Sequence, residues 1–286
     1  ALAMAIPELV GRMDAGAAIA TLEALARELP THTVRSEDQI AFQQFSTPPA
    51  LACLAVHLVR LGSEDVFLEP SAGTGIIASL AKNAVKQCLL NELEPTRAEL
   101  LEGLFPGAQV YRHDGAKLAA LLSGIARPSV IVMNPPFSVS QSRGEDQNTA
   151  ARHLRAALDL LLPDGRVVAI MPDWFADTAR GGEVYRRTLE GARVVMSLRL
   201  DKGGYAKHGT GIAVRMLVID KVPGDTSVST INRASVSELF AALGPIPPRA
   251  ALRDPSPVAV ARPKLSMFRS VKSGPSASSS NAVTIS

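Results

Sequence analysis

The tetrapeptide Asn134-Pro135-Pro136-Phe137 combines groups that could hold a planar base bearing an amino group. A side-chain amide and an adjacent main-chain carbonyl can accept hydrogen bonds from an exocyclic NH2, while an aromatic ring can stack on the base. The same residues are also compatible with a plain turn, because proline ends strands and Asn favours turns. The surrounding residues must decide between a site and a turn.

The elements that would position this tetrapeptide form an α/β pattern from residue 65 onward. Strands are predicted at 65–69, 87–91, 109–113, 129–133, 166–171, 193–200 and 212–220. Helices are predicted near 75–86, 96–104, 116–124, 147–162 and 176–189. This alternation indicates a mostly parallel sheet covered on both faces. The last two strands are joined too closely for a crossover helix, so they are predicted to form an antiparallel hairpin.

Regions on either side of this pattern differ in character. Helical spacing over residues 7–28, and a hydroxyl followed by proline at Thr47-Pro48, predict an N-terminal helical extension over 1–60. A catalytic domain is then expected over 61–222. Residues 223–286 are predicted to hold a short helix and a flexible, linker-like tail rich in serine.

Composition limits the class of protein but does not identify its partner. The 286 residues are 47% hydrophobic, which is enough for a sizeable core, and the net charge of +3 permits a nucleic-acid partner without requiring one. Cys53 and Cys88 lack metal-ligand spacing, so neither a metal site nor a disulfide is expected. Without a long apolar run or a targeting segment, the chain is expected to be cytoplasmic, away from membranes.

A second cluster of polar residues follows the first three predicted strands. Glu69 ends the first strand and precedes a glycine loop, Glu92 ends the second, and Asp114 follows the third. An acid about 20 residues after such a loop is where a ribose is held. A nicotinamide cofactor is possible on these grounds, but Glu69 would repel its pyrophosphate. S-adenosylmethionine (SAM), which carries an ammonium, a sulfonium and no phosphate, fits better. Asp114 could instead be a helix N-cap, or serve both roles.

Taken in order, these motifs resemble those of the amino-methylating N6-adenine DNA methyltransferases. The resemblance covers about residues 40–222. The chain is similar there to the modification subunits of type I restriction systems. It is also similar to the methylase domain joined to strawberry-notch-type helicases. The motifs that carry it are Gln44-Phe45-Ser46-Thr47-Pro48-Pro49, Leu68–Gly75, Asn91-Glu92, Asp114, Asn134–Phe137 and His208–Asp220.

The resemblance implies a Rossmann-like class I SAM-dependent methyltransferase fold, with a seven-stranded, mostly parallel sheet ending in the hairpin. It implies SAM as the cofactor and DNA as the substrate, with a helicase domain or subunit as a further partner. The catalytic residues would be Asn134, Pro135, Pro136 and Phe137. The cofactor would be bound by Phe45, Thr47, Glu69, Pro70, Ser71, Ala72, Gly73, Gly75, Glu92 and Asp114.

Residues that could contact the substrate are a further expectation. They combine positive charge with aromatic rings, as a nucleic-acid surface does: Arg143, Trp174, Tyr205, Lys207 and His208. Ordinary loop or core roles are the alternative for each. Nothing after Val222 resembles a target-recognition domain, so sequence recognition is expected to be relaxed or supplied externally.

Three other functions stay open at this point. An RNA methyltransferase acting on guanine N2 or adenine N6 would use the same tetrapeptide, and a protein-glutamine methyltransferase would use its form with tyrosine in place of Phe137. A non-catalytic module that binds DNA or a helicase would retain the fold without the chemistry. The intact acids and the intact Asn134 argue against that last reading.

Overall fold

Seven sheet strands form close to where the sequence predicts them, and an eighth joins from the C-terminal part of the chain. The structure is a computed structural model that describes residues 2–28, 47–137, 140–141, 144–145, 148–178, 181–201 and 213–251. The strands are β1 (Val66–Glu69), β2 (Gln87–Asn91), β3 (Gln109–Tyr111), β4 (Val130–Met133), β5 (Ser140–Gln141), β6 (Gly144–Glu145), β7 (Arg166–Pro172), β8 (Arg193–Leu200), β9 (Val214–Asp220) and β10 (Thr230–Arg233).

The helices alternate with these strands as expected of an α/β fold. They are α1 (Leu2–Val10), α2 (Ala15–Glu28), α3 (Pro49–Val59), α4 (Ile76–Ala81), α5 (Pro95–Leu104), α6 (Leu118–Leu122), α7 (Thr149–Leu160), α8 (Gly182–Thr188) and α9 (Val236–Ala241). Short 3-10 turns follow α4 and precede α6. None of the helices in the described residues combines the length and the apolarity that crossing a bilayer requires.

The main sheet has the strand order β10-β8-β9-β7-β4-β1-β2-β3, while β5 and β6 form a separate pair. Of the eight strands, β9 runs antiparallel to its neighbours β7 and β8, and the other pairings are parallel. β1 and β4 are neighbours in the sheet, and the strands that follow them lie on opposite sides of this pair. β2 and β3 lie beyond β1, and β7 to β10 lie beyond β4. Such a switch point is where open α/β sheets bind ligands at the carboxyl ends of their strands.

Two groups of helices pack on the sheet and bury its central strands. In the first group α3 contacts α2, α4, β4 and β7, and α1 packs on α4. In the second group α7 contacts α6, α8 and β7. Every residue of β4 and β7 is buried, as expected of strands covered on both faces.

The eighth strand, β10, was not predicted from the sequence. Its residues are mostly polar and exposed or half-buried, so they lack the apolar alternation that marks a strand. It pairs in parallel with the last four residues of β8, from Ser197 to Leu200. Parallel pairing at the sheet margin therefore extends the expected seven-stranded sheet to eight strands.

An ordered strap after α9 crosses the amino edge of the sheet, opposite the carboxyl ends of the parallel strands. Arg249 forms two hydrogen bonds with Asp65, of 2.9 and 2.7 Å, just before β1. Arg166, at the start of β7, donates to the Pro247 carbonyl at 3.0 Å and pairs with Asp220 at the end of β9. This strap, residues 243–251, is thus tied to three strands.

Candidate active site

The carboxyl ends of β1, β2 and β4 bring the predicted motifs to one edge of the sheet. Glu69 and Asn91 are the last residues of β1 and β2, and Asn134 directly follows β4. Parallel pairing aligns these ends because β1 pairs with both β2 and β4. The residues singled out from the sequence therefore share one edge, although they lie far apart along the chain.

The glycine loop between β1 and α4 takes its shape from two left-handed residues. Gly73 has φ of 55° and Gly75 has φ of 80°, a region that side chains with a Cβ rarely adopt. The loop is held by the Ala72 N–H, which donates to the Asn91 carbonyl at 2.9 Å. The loop therefore places its main-chain groups beside the carboxyl ends of the strands.

Gly75→Ala is expected to destabilise the fold by about 2–4 kcal/mol, combining left-handed strain with overpacking. A Cβ at this position would lie 2.4 Å from Cε2 of Phe105 and 2.9 Å from Cδ2 of Leu101. Urea denaturation measures the change in the free energy of unfolding. Gly124→Ala is the matched control, since Gly124 has φ of 77° and no atom within 4 Å of its Cβ position. Equal losses in both variants would show that packing against Phe105 contributes nothing.

Glu69 is a buried carboxylate at the base of this edge. It is 2% exposed, and one oxygen accepts a hydrogen bond from the Ala78 N–H of α4 at 2.9 Å. Burial raises the pKa of Glu69 well above its usual value, and the nearby Glu92 carboxylate raises it further, while the Ala78 N–H lowers it. A bound cation would favour the charged form of Glu69. This position therefore suits an ammonium or a sulfonium and opposes a phosphate.

Glu92 and Asp114 lie close to the loop, with their carboxylates held by main-chain groups. Glu92 accepts from the Gly73 N–H at 2.8 Å and from the Glu94 N–H at 3.0 Å. Asp114 accepts from the Ala116 N–H at 3.0 Å, so it is an N-cap, as the alternative reading allowed. Each carboxylate oxygen retains a second lone pair for a ligand donor.

Asn91 ties the ends of three strands together. Its buried side-chain amide donates to the main-chain carbonyls of Pro70 at 2.9 Å and His113 at 2.8 Å, and its oxygen accepts from the His113 N–H at 3.0 Å. The sequence marked Asn91 as part of a motif but gave it no separate role. The structure shows that it sets the spacing between the loop after β1 and the turn after β3.

Asn134 meets Thr47 across 87 positions of sequence, within a small cavity. The Asn134 amide nitrogen donates to the Thr47 hydroxyl at 3.0 Å. The walls of the cavity are Thr47, Glu69, Ser71, Ala72, Gly73, Thr74, Ile76, Arg97 and Asn134. The threonine-proline motif, the glycine loop and the reactive tetrapeptide thus meet at one place.

Other predicted residues lie around this cavity or beyond the described part of the chain. Pro135 is buried and Pro136 half-buried, and the Phe137 ring is 8% exposed within the core. Trp174 follows β7, is half-buried, and makes an edge contact with Phe175 at 6.0 Å between ring centroids. It does not line the cavity. Outside the described residues lie Phe45, Arg143, Tyr205, Lys207 and His208.

Arg97 lines the cavity and was missed by sequence reasoning. It lies in the first turn of α5, after Glu94, which caps the helix through the Thr96 and Arg97 N–H groups. A cation is disfavoured at a helix N-terminus, so its presence there was a signal that a sequence reading could have used. Burial lowers the pKa of Arg97, while Glu92 and Glu94 raise it.

His153 adds a buried imidazole beside the third acid. Its Nε2 is 3.9 Å from Asp114 Oδ1, and within the described residues Nδ1 has no hydrogen-bond partner. A Cβ on Gly115 would lie 2.6 Å from Nδ1, so glycine is needed at that close approach. Burial lowers the pKa of His153 to about 4; the Asp114 charge opposes this shift and Arg152 adds to it. The folded state therefore favours the neutral ring.

Acidification is expected to destabilise the protein through His153. Because the folded pKa of about 4 is below the unfolded value of 6.5, the stabilising contribution is present above pH 6.5 and declines as the pH falls towards 4. The expected loss between pH 7.5 and pH 5 is about 2 kcal/mol. Thermal denaturation of the wild type and of His153→Gln at both pH values measures it. Parallel pH dependence in the two proteins would contradict this assignment.

Comparison with known proteins places this site in context. No protein-family model matches the chain. Over 210 residues it is 24% identical to the methylase subunit of the type I restriction enzyme EcoEI from Escherichia coli, covering 62% of this chain and 42% of that subunit. The chain therefore spans less than half the length of this relative.

Solved structures show the same fold. One is described as the modification subunit of a type I restriction enzyme from Vibrio vulnificus, with a TM-score of 0.55, 18% identity, and 75% of this chain and 52% of that chain covered. Another is described as the RNA methyltransferase PH1948 from Pyrococcus horikoshii, with a TM-score of 0.52, 17% identity, and 72% and 98% covered. The expected class I SAM-dependent methyltransferase fold is confirmed, with eight strands in place of seven.

Proposed function

We propose that this chain transfers a methyl group from SAM to an exocyclic amino nitrogen, and that this nitrogen is N6 of adenine in DNA. The observation that carries the proposal is the 3.0 Å contact between the Asn134 amide nitrogen and the Thr47 hydroxyl. This contact joins the tetrapeptide to the cavity that contains Glu69 and the glycine loop. A clamp for an amino group therefore adjoins a site suited to a cationic ligand.

The residues of the cavity fit SAM. The buried Glu69 carboxylate suits the positive charges of SAM, and Glu92 offers acceptors for ribose hydroxyls beside Gly73. Asp114 would accept a hydrogen bond from the adenine amino group while remaining an N-cap. SAM supplies an electrophilic methyl group on its sulfonium. Binding by Phe45 at the methionine end stays part of this proposal.

The tetrapeptide supplies the acceptors that activate the amine. An exocyclic nitrogen is a weak nucleophile because its lone pair is delocalised into the ring. Hydrogen bonds from its two protons to the Asn134 side-chain oxygen and the Pro135 carbonyl would favour a pyramidal nitrogen. The Thr47 contact points the Asn134 amide oxygen away from Thr47 and fixes the amide orientation. Such positioning of preorganised dipoles is the main source of catalysis we propose.

Base binding completes the proposed mechanism. A base must leave its stack to reach an acceptor pair at the edge of a sheet. Phe137, a residue that is 8% exposed, would stack on the base, and Pro136 would fix the turn that positions the ring. The amine nitrogen would attack the methyl carbon as the carbon–sulfur bond breaks, with S-adenosylhomocysteine as the leaving group. The cationic amine would then lose its proton to water, so no strong general base is required.

Selection of DNA is supported by the relative and by the order of the motifs. The similar Escherichia coli protein is a restriction-enzyme methylase subunit. Residues 221–251, the described segment after β9, add β10, α9 and the strap to the same core. We propose that recognition of a DNA sequence comes from elsewhere. A helicase domain or subunit remains the proposed partner. RNA is the second candidate polymer, because the fold is shared with an RNA methyltransferase.

Methyl transfer from radiolabelled SAM to DNA, RNA and protein pools tests the proposal. We expect label in DNA, recovered as N6-methyladenine after digestion to nucleosides. Label in RNA or protein instead would reject the DNA assignment while retaining the chemistry. A non-catalytic module would transfer label to none of the three pools. Calorimetric titration with SAM and with NAD identifies an oxidoreductase, which would bind NAD.

A further inference from the structure

Arg97 and the buried Glu69 both line the proposed cofactor cavity. Of the nine described residues that line the cavity, Arg97 is the basic one and Glu69 the acidic one. Thr47, Ser71, Thr74 and Asn134 supply neutral polar groups between them. Among the described residues, the walls of the cavity therefore carry one basic and one acidic side chain.

Arg97 is not committed to a protein partner. Within the described part of the chain its guanidinium makes no hydrogen bond, and no carboxylate oxygen lies within 4.0 Å of it; Glu92 and Glu94 act on it only through space. A Cβ built on Gly73 would lie 3.7 Å from Nη1 of Arg97. The guanidinium therefore lies beside the glycine loop.

The charges of SAM can be matched to these walls. SAM carries one anionic group, the α-carboxylate of its methionine part, and two cationic groups, the α-ammonium and the sulfonium. The fork of an arginine matches a carboxylate and can bind it through two parallel hydrogen bonds. Glu69 repels the carboxylate and attracts the cations. This leaves Arg97 as the group in the cavity suited to the anion.

We propose that Arg97 binds the α-carboxylate of SAM, and that this contact selects cofactors that retain the carboxylate. The inference rests on the proposed function and adds to it the residue that recognises the amino-acid end of the cofactor. Arg97 adds a charge to two neutral residues that the resemblance implies bind the cofactor, Phe45 and Thr47.

The test compares SAM with decarboxylated SAM, which lacks only the carboxylate. By calorimetry we expect the wild type to bind SAM roughly 10- to 100-fold more tightly, the size expected of hydrogen bonds to a charged group. In Arg97→Met the ratio of the two dissociation constants should approach one, through loss of SAM affinity alone. Arg97→Lys, which keeps the charge but loses the fork, should retain part of the ratio.

Arg112→Met is the matched control, because Arg112 lies nearby on the surface and pairs with Glu99 and Glu102. We expect it to leave the ratio of the two dissociation constants unchanged. This result would separate direct contact of Arg97 with the carboxylate from a general effect of positive charge near the cavity. An equal loss of affinity for both ligands in Arg97→Met would make Arg97 a structural residue and overturn the proposal. An unchanged ratio would overturn it too, with the proposed function intact. Binding of neither ligand by the wild type would overturn both.

Discussion

Asn134→Ala is expected to reduce methyl transfer by about 100- to 1,000-fold, the usual effect of removing one preorganised hydrogen-bonding group from an active site. The substitution deletes the side-chain oxygen that we propose accepts from the target amine. SAM affinity should change much less, because Glu69, the glycine loop and Arg97 are untouched. Initial rates of label transfer and calorimetry with SAM measure the two effects separately. A variant that keeps a tenth or more of the wild-type rate would exclude the proposed clamp.

Thr47→Val shows whether the threonine acts through Asn134. This change removes the hydroxyl that accepts a hydrogen bond from the Asn134 amide nitrogen. Loss of one neutral hydrogen bond is expected to lower the rate of methyl transfer by about 5- to 10-fold. At saturating SAM, which removes any effect on cofactor binding, the Thr47 substitution should have no further effect in the Asn134→Ala background, since its partner is already absent. Fully additive losses in the double variant would mean that Thr47 contacts a ligand independently of Asn134.

Asp220→Ala is expected to lower the free energy of unfolding by about 3–5 kcal/mol, because it leaves a buried guanidinium without its partner. Arg166 is 0% exposed and Asp220 is 1% exposed, and their two contacts measure 2.7 and 3.1 Å. Arg193 adds a third contact to Asp220 at 3.2 Å. Urea denaturation followed by the fluorescence of Trp174, the one tryptophan of the chain, gives the change.

Two controls separate a buried charge from a lost contact. Arg166→Met with Asp220→Leu should recover most of the stability, because it replaces both charges by apolar side chains. The recovery is expected to be partial, since Arg166 also holds the carbonyls of Pro247 and Pro248. Glu64→Ala, which removes an exposed partner of Lys86, should cost at most about 1 kcal/mol. A loss as small as this in Asp220→Ala would show that the buried pair contributes little.

The sequence was sufficient to predict the strands that position the site. Short apolar runs such as Val130–Met133 are buried on both faces, which makes their pattern easy to recognise. The convergence of Glu69, Asn91 and Asn134 also followed, because parallel strands align their carboxyl ends. The contact of Asn134 with Thr47 is not among the sequence predictions, since no local pattern reports a contact between residues 87 positions apart.

Features formed by tertiary contacts were not predictable in this way. β10 is short and polar, and it becomes a strand because β8 offers it hydrogen bonds. Arg97 has no partner in sequence that would mark it, and its role depends on how α5 meets the glycine loop. The anchoring of the strap by Arg249 and Asp65 joins residues 184 positions apart.

The edge strand β10 and the strap also determine where the chain can be cut. A fragment that ends at Val222 would lose β10 and expose the outer hydrogen-bonding groups of β8, and an unpaired strand edge is a template for association with other copies. The same cut would remove Arg249, the charged partner of Asp65, and the Pro247 and Pro248 carbonyls that accept from Arg166 at the amino edge. A crystallisation or screening fragment should therefore extend through Ala251, and shorter fragments are expected to aggregate even though every cavity residue is present.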